Sequence, residues 1–132
     1  MVSKIVSTLV AIAMAAFMGT GLAFADEDLA KVGEKTFKRK CKLCHEATKE
    51  KNKLGPNLVG IIGRKAGSVE GFKKYSDALK NSGVVWDEES LTKWIAKPKD
   101  FIPGNNMKGF PGFKKEKDRT AVVAYLKSLS AK

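Results

Sequence analysis

Cys41-Lys42-Leu43-Cys44-His45 is the stretch on which the reading of this sequence turns. Two thiols stand three positions apart, and an imidazole follows the second directly. The 132-residue chain has no other cysteine and no other histidine, so any chemistry assigned to the cluster must work with these three groups. A thioredoxin-like dithiol needs a strand–helix–strand setting, and none surrounds it. Structural zinc takes four ligands, and Cys41, Cys44 and His45 make three. A simple Cys41–Cys44 disulfide is open to an exported protein, but it leaves the adjoining unique histidine as coincidence.

The remaining reading uses all three side chains. C-x-x-C-H is the pattern of covalent haem attachment. The two thiols add across the vinyl groups of the porphyrin, and the two intervening residues give the local helix the reach between them. His45 then lies beneath the iron and ligates it through a ring nitrogen. One haem c, covalent through Cys41 and Cys44, is the expected cofactor, and covalent attachment explains how so small a domain would keep it.

Upstream, Lys4 precedes an uncharged apolar run from Ile5 to Met18, then Gly19-Thr20-Gly21, then Ala23-Phe24-Ala25 and the acidic Asp26-Glu27-Asp28. This is the order of a basic start, an apolar segment and an A-x-A site that marks an export signal. An uncleaved anchor is the other reading, since residues 5–25 nearly match a bilayer's thickness. The A-x-A site and the glycines favour cleavage, giving an export signal at 1–25, a single domain at 26–132 and a periplasmic protein. Cleavage removes Met1, Met14 and Met18, so Met107 becomes the only methionine of the mature chain.

Composition agrees with one small globular domain. A hydrophobic share of 43% argues against disorder, and 30% charged residues argue against a membrane bundle. Apolar spacing predicts a helix over 29–39 with Leu29, Val32, Gly33 and Phe37 on one face, and with Asp26 and Asp28 near its start. Gly, Asn, Lys and Pro fill residues 46–64, where Gly55-Pro56-Asn57 and Gly60 read as turns. Short helices are expected over 75–80, over 87–97 with Asp87 as N-cap, and over 115–129. Pro98 is read as a helix stop and 99–113 as loop. No strand pair is apparent. The class is all-α: four or five short helices joined by long loops, with too little apolar surface to close a core unless a large flat cofactor lies at its centre.

The second axial ligand follows by elimination. Bis-histidine ligation within the chain is excluded by the single His45. Met107 is the sole thioether, in the loop Ile102-Pro103-Gly104-Asn105-Asn106-Met107-Lys108-Gly109-Phe110. A core methionine filling a gap is the alternative, but a glycine-rich polar loop is a poor setting for one. The iron is therefore expected between His45 and Met107.

Several further residues recur in a familiar order: Gly55-Pro56-Asn57-Leu58, Gly63-Arg64, Tyr75-Ser76-Asp77-Ala78, Trp86, Ile102-Pro103-Gly104, Met107 and Ala124-Tyr125-Leu126-Lys127. Together with Cys41 to His45 they resemble a class I c-type cytochrome, a bacterial periplasmic relative of mitochondrial cytochrome c, over essentially all of 26–132. The resemblance implies the small cytochrome c fold wrapped around one haem. It implies that Gly33 and Phe37 lie where the first helix crosses the last, against Val122, Tyr125 and Leu126. It implies a Pro56 carbonyl that accepts the His45 ring N–H, haem-propionate donors in Arg64, Tyr75 and Trp86, and a Phe110 ring shielding the haem edge. Three departures stand out: Leu79 in place of an Asn, Asn105 in place of a Thr, and one extra residue near Gly109.

A haem with both axial positions filled has no site for oxygen or peroxide, so a one-electron carrier that is no enzyme is expected. A small haem peroxidase or a haem-based ligand sensor is the alternative, and the sequence offers no distal histidine for it. Between 29 and 86 there are 14 basic and 5 acidic residues. Lys40, Lys42, Lys108, Lys114 and Lys115 are candidates to ring the haem edge and steer acidic partners. Suitable partners are a quinol-oxidising cytochrome complex, an oxidase, a reaction centre or a dehydrogenase, met transiently by a monomer. Nucleic acid is not expected, with 22 Lys to 3 Arg and no binding motif.

Overall fold

Glycine at position 33 sets the central helix crossing. In the computed structural model, which describes residues 21–131, a Cβ at Gly33 would lie 1.8 Å from the Ala121 carbonyl oxygen and 2.9 Å from the Tyr125 Cβ. Only a residue without a side chain lets the two backbones come this close. The helices that meet there are α1 (Gly21–Lys40) and α5 (Glu116–Ser130), the first and last of five; α2 (Asp77–Lys80), α3 (Glu88–Ala96) and α4 (Pro98–Phe101) lie between them. One turn on from Gly33, the Phe37 ring meets the Tyr125 ring at 5.6 Å with a 55° tilt. From α5, Ala121, Val122, Val123, Tyr125 and Leu126 are buried.

Among the described residues there is no named strand, in keeping with the all-α class; one isolated antiparallel bridge joins Lys65 and Val85. It is flanked by Trp86 N–H to Arg64 O at 2.9 Å and Ala66 N–H to Val84 O at 2.8 Å, which pin the loop after Ile61 to the segment leading into α3. That helix starts on a full capping box: Asp87 accepts from the Ser90 N–H while Ser90 accepts from the Asp87 N–H. Its inner face is Leu91, Trp94 and Ile95.

Three local expectations are corrected. Asp26 and Asp28 lie within α1, which is already helical at Gly21, the first described residue. Ala23 and Ala25 are strong helix formers and continue the helix ahead of Asp26; Lys31 pairs with Glu27 at 3.2 Å and Asp28 at 3.9 Å on the exposed face. Val32 is 53% exposed; the inward stripe is Gly33, Thr36 and Phe37, and Val32 sits about 100° round from Gly33. Pro98 does not simply end a helix. Lys97 breaks α3 with φ −161° and ψ 84°, and Pro98 then opens α4, where a proline costs no hydrogen bond because the first N–H groups of a helix have no partner. Residues 1–20 of the expected export signal lie outside the described residues.

We expect Gly33→Ala to lower the stability of the haem-loaded protein by about 1–3 kcal/mol, the range for overpacking a close contact, with guanidinium unfolding as the measurement. An unchanged midpoint would mean that the crossing has slack.

Candidate functional site

The end of α1 runs straight into the cysteine motif. Cys41 N–H bonds Phe37 O at 2.8 Å, and His45 N–H bonds Cys41 O at 2.9 Å. The motif is thus a further turn laid on the helix C-terminus, satisfying carbonyls that would otherwise lack partners. Gly55 N–H to Cys44 O at 2.8 Å and Leu58 N–H to Glu46 O at 2.7 Å then draw residues 55–58 alongside it.

That pairing fixes the histidine. Its Nδ1 lies 2.7 Å from the Pro56 carbonyl oxygen. A carbonyl only accepts, so Nδ1 carries the proton and Nε2 keeps its lone pair. A Cβ at Gly55 would come within 2.3 Å of the ring's Cε1, so the glycine makes the gap the imidazole occupies. Burial pushes the His45 pKa down, the Pro56 bond opposes this, and the Lys53 and Arg64 charges add to the lowering. The ring is a neutral donor with one nitrogen free.

Cys41 and Cys44 are both half-buried and free. Burial, with Cys44 beside it, pushes the Cys41 thiol up to about 12. A thiol so hard to ionise is poorly suited to dithiol exchange, which requires the thiolate. Among the described residues no group of three His, Cys, Asp or Glu is placed to hold a metal ion. Thioether formation, by contrast, leaves both sulfurs neutral and compatible with burial.

Both thiols and the imidazole open into one cavity of about 420 Å³. All eight residues singled out as cofactor-binding line it: Cys41, Cys44, His45, Pro56, Arg64, Tyr75, Trp86 and Met107. Arg64 donates to Val59 O at 3.0 Å and Asn57 O at 2.8 Å, which holds its guanidinium at the cavity wall. The Tyr75 hydroxyl accepts from the Val69 N–H at 3.2 Å, and Trp86 packs on Trp94 at 5.5 Å. Apolar walls come from Phe37, Leu79, Leu91, Trp94, Ile95, Val122 and Leu126. Phe110 also lines the cavity despite the extra residue before it, because the turn closed by Phe110 N–H on Met107 O (3.3 Å) absorbs Gly109.

The dimensions fall in the usual range for a small-molecule or cofactor pocket. Its chemistry suits a haem: apolar walls, two free thiols, a lone-pair imidazole nitrogen, a thioether and a guanidinium. Sequence reasoning missed the gap at Gly55, and it missed Leu43 and Leu54, which are 80% and 64% exposed at the cavity lining. An apolar residue inside a Lys- and Asn-rich run was the available signal for Leu54. Lys40 lines the cavity as proposed for the lysine ring, and so does Lys74, which had not been singled out; Lys42, Lys108, Lys114 and Lys115 are exposed but not part of the lining.

The cytochrome c family model matches residues 30–130. Cytochrome c2 iso-2 of Magnetospirillum fulvum is 54% identical over 89 residues, covering 67% of this chain and 91% of that protein. Cytochrome c of Theileria annulata is 50% identical over 101 residues, covering 76% of this chain and 85% of that one. Among solved structures, cytochrome cH from Methylobacterium extorquens superposes with a TM-score of 0.69 at 46% identity, over 75% of this chain and 97% of that chain.

In the haem-loaded protein, Gly55→Val should displace the His45 ring and abolish the exchange-protected Nδ1–H resonance in the proton NMR spectrum. Retention of that resonance at an unchanged shift would show that the ring does not depend on the gap.

Proposed function

The chain belongs to the cytochrome c family, and from that premise we propose that it is an exported carrier shuttling electrons between redox complexes at the periplasmic face of a membrane. It is a haem-based electron-transfer protein and not an enzyme, with one haem c covalently bound through Cys41 and Cys44. When bound, the haem supplies a one-electron couple between ferrous and ferric iron. In the proposed arrangement His45 Nε2 and the Met107 thioether would hold the iron, which would leave no position for an external substrate. The Pro56 carbonyl orients the imidazole and raises its basicity. Arg64, Tyr75 and Trp86 hold the carboxylate edge, and the apolar walls exclude water.

One observation carries this reading. The lone-pair nitrogen of the only histidine and the only thioether of residues 26–132 share the wall of a single cavity with both thiols. Fixed ligands on both faces limit rearrangement when the iron changes charge, and thioether ligation with burial favours the ferrous state.

We assign docking to the cavity mouth. Leu43 and Leu54 present apolar surface there, beside the exposed Lys40, Lys42 and Lys74. None of these lysines pairs with a carboxylate among the described residues, whereas Lys31, Lys38, Lys80, Lys93, Lys97 and Lys127 all do. Acidic redox partners fit that surface. Cleavage after Ala25 would leave Asp26-Glu27-Asp28 at a free helix start, where carboxylates meet the positive end of the dipole.

Intact mass of the exported protein should equal Asp26 to Lys132 plus one haem; a colourless product, or one beginning at Met1, contradicts the reading. Met107→Ala should abolish the sulfur-to-iron charge-transfer band of the ferric protein, and a retained band would remove Met107 as ligand. Reduction rates with an acidic partner should fall steeply as salt is raised, because the steering field is screened within about 8 Å at physiological ionic strength. Salt-independent rates would place docking elsewhere.

A further inference from the structure

We propose that Asn105 is a positioning residue for Met107: its buried carboxamide clamps the methionine's backbone to α4 and so holds the thioether at the cavity. The inference rests on the reading of Met107 as an axial ligand and extends it to a residue at the cavity wall that is not itself a ligand.

Asn105 is only 7% exposed, in a loop whose neighbours Pro103, Gly104 and Asn106 are all exposed. Its Nδ2 donates to Pro98 O and to Ile102 O, each at 2.9 Å, and its Oδ1 accepts from the Met107 N–H at 2.7 Å. The orientation of the amide is unambiguous, since two carbonyls face one end and an N–H faces the other. Pro98 and Ile102 are the first residue and the C-cap of α4. One side chain therefore ties both ends of α4 to the backbone of the residue two positions on. Asn106 adds a weaker, exposed tie, donating from Nδ2 to Lys74 O at 3.0 Å.

The chemistry of the clamp needs an amide. An aspartate would accept from Met107 but could not donate to the two carbonyls, and a leucine of similar volume would do neither. A threonine, the residue that the family resemblance leads one to expect here, has one O–H donor and could serve at most one of the two carbonyls. Met107 needs such a support. Its side chain has three rotatable bonds, it is half-buried, and its loop is bordered by Gly104 at φ +86° and by Gly109, whose absent Cβ would meet nothing within 4 Å. Met107 and Phe110 pack on the core from one side only, so directional bonds must fix the backbone between Gly104 and Gly109.

Binding of free imidazole to the ferric, haem-loaded protein tests the clamp, because imidazole enters only when Met107 leaves. Loss of the buried bonds in Asn105→Leu should raise the apparent imidazole affinity about tenfold. Asn105→Asp, which cannot donate to the two α4 carbonyls, should also raise it, and it decides the question if the leucine variant does not fold. Gly33→Ala is the comparator: it weakens the distant helix crossing and should leave imidazole affinity unchanged. A purely structural Asn105 would lower the unfolding midpoint as Gly33→Ala does, with imidazole affinity like the wild type, and that result overturns the inference. Met107→Ala separates the two failures. If it keeps the charge-transfer band, the ligand assignment itself is wrong. If it loses the band while both Asn105 variants bind imidazole as the wild type does, only the clamp is wrong.

Discussion

The walls of the cavity and the hydrophobic core are largely the same side chains, and the rest of the structure follows from that constraint. Of the fourteen buried core residues, Phe37, Ile61, Trp86, Leu91, Trp94, Ile95, Val122 and Leu126 also face the cavity. A protein interior is ordinarily packed to crystal-like density, and these eight residues have on one side a space that no side chain of the chain fills. The covalently held haem c of this family supplies the missing partner atoms. Only three helices of eight residues or more occur among the described residues, and the long segments 41–76 and 102–115 drape around the same space, where a purely protein core would have needed further helices.

Geometry at the proximal side is transmitted through a chain of backbone bonds. Helix α1 passes its register to the cysteine motif by the Phe37–Cys41 bond, and the motif passes it to residues 55–58 by Cys44 and Glu46. That segment is itself stiffened: Asn52 Oδ1 accepts from both the backbone N–H and the side-chain amide of the buried Asn57, each at 3.0 Å. Arg64 then draws the Asn57 and Val59 carbonyls together. The Pro56 carbonyl is presented to His45 by a loop with little freedom, and orientation of an imidazole by its outer hydrogen bond is what fixes its tautomer. Arg64 thereby has two tasks, to lock this loop and to place positive charge at the cavity wall.

Much of this was legible from residue identities. The cysteine–histidine motif, the N-cap at Asp87 and the apolar stripe of α5 each depend on local spacing, and the structure places them accordingly; the crossing at Gly33 was implied by the family resemblance, and the structure shows it. The misses have a common cause. Val32 was assigned inward from periodicity, yet burial is decided by where α5 lies. The start of α1 and the α4 turn at Pro98 depend on which of two locally acceptable backbones the surroundings favour. The gap at Gly55 and the clamp at Asn105 are tertiary relations: a glycine in a turn and an asparagine in a polar loop look ordinary until a ring or a helix end is brought against them. Asn105 could be noted only as a departure from a threonine.

Charge follows the same division between scaffold and site. Six lysines on or beside the helices are matched to carboxylates three or four residues away or, for Lys127 and Glu88, across the α5–α3 contact. Exposed pairs of this kind add little to stability, so their chief effect is to cancel field over the helical faces. Lys40, Lys42 and Lys74 at the cavity mouth lack such partners among the described residues, and their field is not cancelled. An uncancelled positive charge beside the cavity attracts an approaching acidic partner before contact. Because those charges stay in water, they speed encounter without holding the complex together, which suits a carrier that must leave as readily as it arrives.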